Sequence, residues 1–331
     1  MIINRDNFYL PNKLGAPKKE REIDLKKIFL ATLVTVSVLV LGACGKGTSS
    51  EKKANDKPTV TVTTSFLRDM VTQIAGDKVT IKEVIPAGED PHLYVAKSGD
   101  LKKISSADLV LYHGLHFEGK MVEALEQSGV AVSKNFPKDQ ELTMDEDGES
   151  ITDPHFWFDL NLYSKAVDTA TDELAKLLKD DSIKEKGKTY QKELKELDSY
   201  IKEQVATLPK DGRYLITPHD AFNYFSRSYG IKVVAPQGVS TEGEVSNTNI
   251  SETVDFIVDH KVKAIFAEST TDPARMEKLK ENVEAKGGNV TVVSGEGNEL
   301  FSDSLAPVGQ EGDTFIDMYR HNIDLIVSNL K

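Results

Sequence analysis

SIKEKGKTYQKELKELDSYIKEQVATL, Ser182–Leu208, is the stretch from which the fold is read. Tyr190, Leu194, Leu197, Ile201, Val205 and Leu208 recur at spacings of three and four, which gives one apolar helical face. Lys188, Lys192, Lys195, Glu196, Lys202 and Glu203 fall largely on the other side and read as solvated surface. Pro209 and Gly212 close the helix. At 1.5 Å per residue it spans about 40 Å, long enough to run across two lobes. Together with a helical stretch at Asp159–Lys179, it separates two runs of alternating strands and helices.

In the first run, Thr59–Phe66, Val79–Ile85, Asp108–Tyr112 and Val130–Ser133 read as strands. Leu67–Ala75, Lys97–Ser105 and Glu118–Gln127 read as helices between them. Residues 136–152 are polar and acidic, contain Gly148 and read as a loop. In the second run, Arg213–Thr217, Lys232–Ala235, Ala264–Ala267 and Val290–Val293 read as strands. Ala221–Tyr229, Asn249–His260, Pro273–Lys286 and Gly312–Leu330 read as helices. This order predicts the α/β class: two lobes, each a parallel sheet flanked by helices, joined by a long linking helix. The expected division is a first lobe at 58–181, the linking helix at 182–208 and a second lobe at 209–331.

Working back to the N-terminus, Lys26 and Lys27 precede an apolar run of 16 residues, Ile28–Ala43. That is short for a spanning helix, which needs about 20 residues, and reads as a secretory signal region at 1–43. Residues 1–24 lie upstream of the charged region, which suggests Leu25 as the true start of translation. The run ends in Leu41-Gly42-Ala43-Cys44, which resembles the lipobox of bacterial lipoproteins. The single cysteine lies where an acyl anchor would be attached, so lipidation of Cys44 is expected, followed by a flexible tether over 44–57. A lone cysteine forms no intramolecular disulfide and builds no cysteine-based zinc finger.

The net charge is −12, and residues 1–43 hold seven basic and four acidic groups. The remainder carries 34 basic and 49 acidic groups. Phosphate binding needs a positive field, so nucleic acid is excluded as a partner, whereas small cations are compatible.

Three of the seven histidines follow a proline: Asp90-Pro91-His92, Asp153-Pro154-His155 and Thr217-Pro218-His219. Composition alone would give about 0.25 such pairs. Each lies at an element boundary, and ligands of open α/β sheets bind at the carboxyl ends of strands. Proline restricts the backbone, so the adjacent side chain loses less entropy on binding. Neutral imidazoles at three rigid corners suit a borderline divalent cation, with a carboxylate to offset charge. A lone histidine is more often a core or surface group bonded to backbone, and it is the shared pattern that argues otherwise. His113 and His116, in HGLH, are further candidates, but Gly114 argues against the helical turn that would pair them. His260 and His321 fall on helical segments and read as exposed or capping.

The segments PAGEDPHLYVAKSGD, DLVLYHGLHFEGKM, DPHFWFDL, ITPHDAFNYFSRSYGI, AIFAEST and LFSDSLAPVGQEGDTFIDMYRHNIDLI resemble, in order, signature segments of zinc/manganese solute-binding lipoproteins of bacterial ABC importers. The resemblance covers roughly residues 58–331. It implies two α/β lobes with the metal site between them, and a rigid linking helix. It further implies His92, His155 and His219 as ligands and Asp303, in Phe301-Ser302-Asp303-Ser304, as the carboxylate. Glu268, after the Ala264–Ala267 strand, would support a histidine ring. The cargo would be Zn2+ or Mn2+. The partners would be an importer permease and its ATPase, and the protein would be extracytoplasmic, lipid-anchored to the cell membrane through Cys44. The family's zinc-specific members often carry a histidine-rich loop before the DPH segment; here Lys134–Thr152 is acidic without histidine. Three nitrogens favour zinc on intrinsic affinity, yet members with this ligand set carry either metal.

Two other readings remain open. A surface zinc hydrolase would use three histidines and a water, but the chain has neither HExxH nor GxSxG, and a fourth protein ligand leaves no open position. Gly295–Leu300 mimics a dinucleotide fingerprint but lacks the third glycine. The expectation is therefore not an enzyme. The alternative is a surface adhesin or structural lipoprotein whose metal stabilises the fold.

Overall fold

The computed structural model describes residues 57–146 and 148–331. The signal region 1–43, the start at Leu25, Cys44 and the tether up to Asp56 lie outside the described residues.

Strand β1 (Thr59–Val62) is followed by helix α1 (Ser65–Ala75). The strand predicted to reach Phe66 stops early because Thr64 caps α1, its side chain accepting from the Leu67 N–H. Then come β2 (Thr80–Glu83), α2 (Ser98–Ser105), β3 (Leu109–Tyr112), α3 (Val122–Ser128) and β4 (Val130–Ala131). The four strands form one parallel sheet in the order β2-β1-β3-β4, with Val60 opposite both Ile81 and Leu109. Its core positions Val60, Val62, Val110 and Leu111 are buried, as strands covered on both faces require.

The segment expected to be a loop contains an antiparallel hairpin, β5 (Thr143–Glu146) and β6 (Glu149–Thr152), with Met144 opposite Ile151. Gly148, at φ 85°, supplies the left-handed turn residue. The run of acidic residues around it masks the short alternation that makes these strands.

Helices α4 (Leu160–Leu178) and α5 (Ser182–Ala206) follow. Asp159 caps α4, accepting from the Asn161 and Leu162 N–H groups. The apolar face of α5 is buried at Ile183, Tyr190, Leu194, Leu197, Ile201 and Val205, while Lys188, Lys192, Lys195, Glu196, Lys202 and Glu203 are exposed. The second half contains β7 (Tyr214–Ile216), α6 (Asn223–Tyr229), β8 (Lys232–Val234), α7 (Asn247–His260), β9 (Ala264–Phe266), α8 (Ala274–Ala285), β10 (Thr291–Val293) and α9 (Phe315–Leu330). Its strands form two parallel pairs, β7–β8 and β9–β10, with β7 lying beside β9. Single bridges, His219 with Gln237 and Glu268 with Leu300, carry each pair beyond its strands toward the carboxyl end.

One continuous apolar cluster joins the halves. It takes Val60, Phe66 and Leu111 from the first, Leu194, Leu197 and Ile201 from α5, and Phe266, Val293 and Tyr319 from the second. Asp69 of α1 ties three helices, accepting from Phe315 N–H at the start of α9 (3.0 Å) and from the Tyr190 hydroxyl of α5 (3.3 Å).

Candidate metal centre

Each of the three Pro-His corners is held by the residue two before the histidine. Asp90 Oδ1 and Asp153 Oδ1 accept the backbone N–H of His92 and His155, both at 2.9 Å. Thr217 Oγ1 donates to the His219 carbonyl at 2.9 Å. A short polar side chain thus closes a turn over a proline of restricted φ, and the histidine leaves the turn in a defined direction.

The three corners converge, with Asp303 between them. The imidazole and carboxylate atoms of His92, His155, His219 and Asp303 lie within 4.8 Å of one another. Nε2 of His219 is 3.1 Å from Asp303 Oδ2, and Nε2 of His155 is 3.3 Å from Oδ1. His92 Nε2 stands farther off, at 3.9 Å from Oδ2. His155, His219 and Asp303 are fully buried, and His92 is 2% exposed. All three Nε2 atoms and both Asp303 oxygens lack a hydrogen-bond partner of acceptable geometry. Five unpartnered polar atoms converging in a buried space are costly unless something binds them.

Behind this group, Asp153 Oδ1 lies 2.8 Å from His155 Nδ1, and Glu268 Oε2 lies 2.5 Å from His219 Nδ1. Ser302 Oγ donates to the same Glu268 oxygen at 3.1 Å. A carboxylate on Nδ1 selects the tautomer that leaves Nε2 free as a donor to an ion. Glu268 therefore lies against the His219 ring. The matching role of Asp153 was missed in the sequence reading, although the DPH spacing was its signal.

Charge follows from these contacts. Burial depresses the His155 imidazolium, but Asp153 and Asp303 outweigh it and lift the group to about 9. Burial likewise opposes charge on His219, and Glu268 and Asp303 raise it well above the ordinary histidine value. Burial works against the Asp303 carboxylate, but the facing His219 and His155 hold it well below the usual range. On His92, burial prevails over Asp303 and lowers it to about 3, so this ring stays neutral.

The other histidines stand apart. His113 packs edge-on against Phe66 and Trp157, and its Nε2 lies 2.7 Å from Thr64 Oγ1. Burial lowers it to about 3, so it is a neutral core group. The HGLH turn is not helical, with Gly114, Leu115 and His116 all at positive φ. It is held by Glu118, which accepts from the His113 and Gly114 N–H groups and the Thr63 hydroxyl. His260 stacks on Phe256, and His321 Nε2 bonds the Glu299 carbonyl.

Known proteins similar to this chain are named for metal binding and uptake. Residues 60–329 match the family described as ZnuA, zinc-uptake complex component A, periplasmic. The zinc-binding protein TroA of Treponema pallidum is 40% identical over 289 residues, 85% of this chain and 92% of that protein. The manganese-binding lipoprotein MntA of Bacillus subtilis is 36% identical over 310 residues, 91% of this chain and 99% of its own length. A solved TroA structure, from work on its metal-binding specificity, shares 62% identity at a TM-score of 0.82, covering 83% of this chain and all of its own.

Proposed function

This chain belongs to the family of ZnuA zinc-uptake components, and from that premise we propose that it captures Zn2+ or Mn2+ outside the cytoplasm and delivers it to an ABC importer. The observation that carries the reading is the buried convergence of three Nε2 atoms on the two oxygens of Asp303, none of them in a well-directed hydrogen bond. We assign His92, His155, His219 and Asp303 as the ligands, with Asp153 and Glu268 orienting two of the rings. The ion sheds water and meets three neutral imidazoles and one carboxylate, a set that suits a borderline cation. The site's own protons compete with the ion, because His155 and His219 must lose theirs to ligate. Four protein ligands leave no position for an activated water, which argues for capture rather than catalysis.

The relatives are named for both metals, and the three-nitrogen set inclines the intrinsic preference to zinc. The lipoprotein names among them support acylation of Cys44, with residues 44–57 as tether to the cell membrane. A permease and its ATPase are then the partners. PsaA of Streptococcus pneumoniae and FimA of Streptococcus parasanguinis carry ABC-transporter names, which favours transport over an adhesive role here.

Competitive titration of the metal-stripped protein with zinc and manganese tests the reading. One ion per chain is expected, with a sub-micromolar dissociation constant, about −8 kcal/mol or stronger. His155→Ala should abolish it. Failure of both ions to bind stoichiometrically would remove the assignment and bring the adhesive role forward.

A further inference from the structure

We propose that Asp90 and Thr241 form a latch between the two halves of the molecule that holds His92 in place, and that His92 is the ligand through which the ion leaves. The release half of this statement rests on the ligand set proposed above; the latch itself does not.

The four ligand side chains are not held alike. His155 and His219 are gripped at the ring by buried carboxylates, and both are fully buried. Asp303 sits in a loop pinned to the first half. The Trp157 indole donates to the Ser302 carbonyl at 2.9 Å, and the Gly88 N–H donates to Ser304 Oγ at 2.7 Å. Among the described residues, no carboxylate is paired with Nδ1 of His92. It is also the farthest of the three rings from Asp303. Of the four, it alone lines the cavity of about 390 Å³ that opens beside the site, together with His116, Gly119, Val239, Ser240 and Glu242.

The His92 ring meets Phe117 edge-on at 5.1 Å, and its polar anchoring comes through the backbone. Asp90 Oδ1 accepts the His92 N–H, and Asp90 Oδ2 accepts the Thr241 hydroxyl at 2.6 Å, across 151 residues of sequence. The loop bearing Thr241 is in turn stiffened by Gln237. That amide donates to the carbonyls of Thr241 (3.0 Å) and Gly243 (2.6 Å) and accepts from Arg275 at 2.7 Å. Gln237 is the bridge partner of His219. A single chain of bonds thus runs from one ligand's backbone to another's, and Asp90–Thr241 is its crossing between halves. On the facing side Gly119 abuts the His92 carbonyl so closely that a side chain there would overlap it. Lys120 and Glu242, 3.7 Å apart and exposed, flank the crossing and add little. A ligand held through its main chain at the rim of a cavity is the one that can swing without dismantling the buried carboxylates behind the others.

The experiment pairs Thr241→Val, which keeps the shape and removes the donor, with Thr241→Ser, which restores it. Zinc dissociation into excess chelator, followed by stopped flow, should be about tenfold faster in Thr241→Val and within about twofold of wild type in Thr241→Ser. In the metal-free proteins, diethyl pyrocarbonate modification is mapped by peptide mass spectrometry. His92 should react faster in Thr241→Val, while His155 and His219 stay slow. Unchanged reactivity of His92, or equal acceleration of all three rings, overturns the latch. An unchanged dissociation rate with faster His92 modification overturns its role in release. Absence of zinc binding by the wild type removes the ligand assignment, and the modification result still decides the latch. Thr241→Ala, which also removes the hydroxyl and leaves Asp90 to accept from the His92 N–H, serves if Thr241→Val does not fold and should shift both readouts in the same direction.

Discussion

At the scale of single residues, the centre is a problem in burying charge. His155 and His219 carry protons against Asp303 because three carboxylates surround them. For His155 this means a contribution to the stability of the metal-free fold that is fully present below about pH 6.5, the unfolded histidine value, and lost as pH rises through about 9, and the raised His219 acts in the same direction. His92, lowered to about 3, works the other way: the unfolded ring takes a proton as pH falls through about 6.5 while the folded one stays neutral, so this group costs stability at the acid edge and drops out well above that value. The melting temperature of the stripped protein should therefore fall between pH 6.5 and 9, by on the order of 5 °C. Apparent metal affinity should rise over the same interval, since the ion displaces protons that become easier to lose. Calorimetry in buffers of different ionisation enthalpy reads that proton release directly, and a pH-independent affinity would contradict it. The Pro-His corners were legible in the sequence because each is a local turn closed by a residue two positions away. The carboxylate on His219 comes from 49 residues downstream, and only the resemblance, not spacing, pointed to Glu268.

At the scale of elements, the contact between α4 and α5 depends on one glycine. Gly187 faces Thr171, and a Cβ there would fall on the threonine hydroxyl and crowd its methyl group. Alanine gains about 1 kcal/mol over glycine in helix propensity, whereas overpacking costs about 1–3 kcal/mol. The second effect should win, so Gly187→Ala is expected to lower stability by about 1 kcal/mol in urea unfolding. In a Thr171→Ala background the same change should become stabilising, a reversal that propensity alone cannot produce. The long helix was readable because its apolar positions repeat over about six turns. Strand ends and the small hairpin were not. Thr64 is as good a cap as a strand residue, and the acidic residues around Gly148 hide an alternation only four residues long.

At the scale of the whole molecule, the two halves share one core instead of meeting at a hinge. The cluster that contains Val60 and Leu111 also contains Phe266 and Val293, with the face of α5 between them. Wide opening would expose that apolar surface, at about 25 cal/mol per Å². Metal binding should accordingly change the radius of gyration by less than about 0.5 Å in solution scattering, with motion confined to loops at the site. A change of several ångströms would show a hinge that this packing does not allow. By itself the sequence determined the α/β class, the long helix, the acidic character and the three histidine corners, because periodicity, composition and Pro-centred turns are properties of short stretches of chain. The resemblance named Asp303 and Glu268, but only the tertiary structure decided where they stand: Asp303 between those corners, Glu268 with Asp153 behind two of the rings, and the third ring tied across the molecule through Asp90 and Thr241. Those contacts join residues brought together by packing, and no local pattern specifies which distant side chain will arrive.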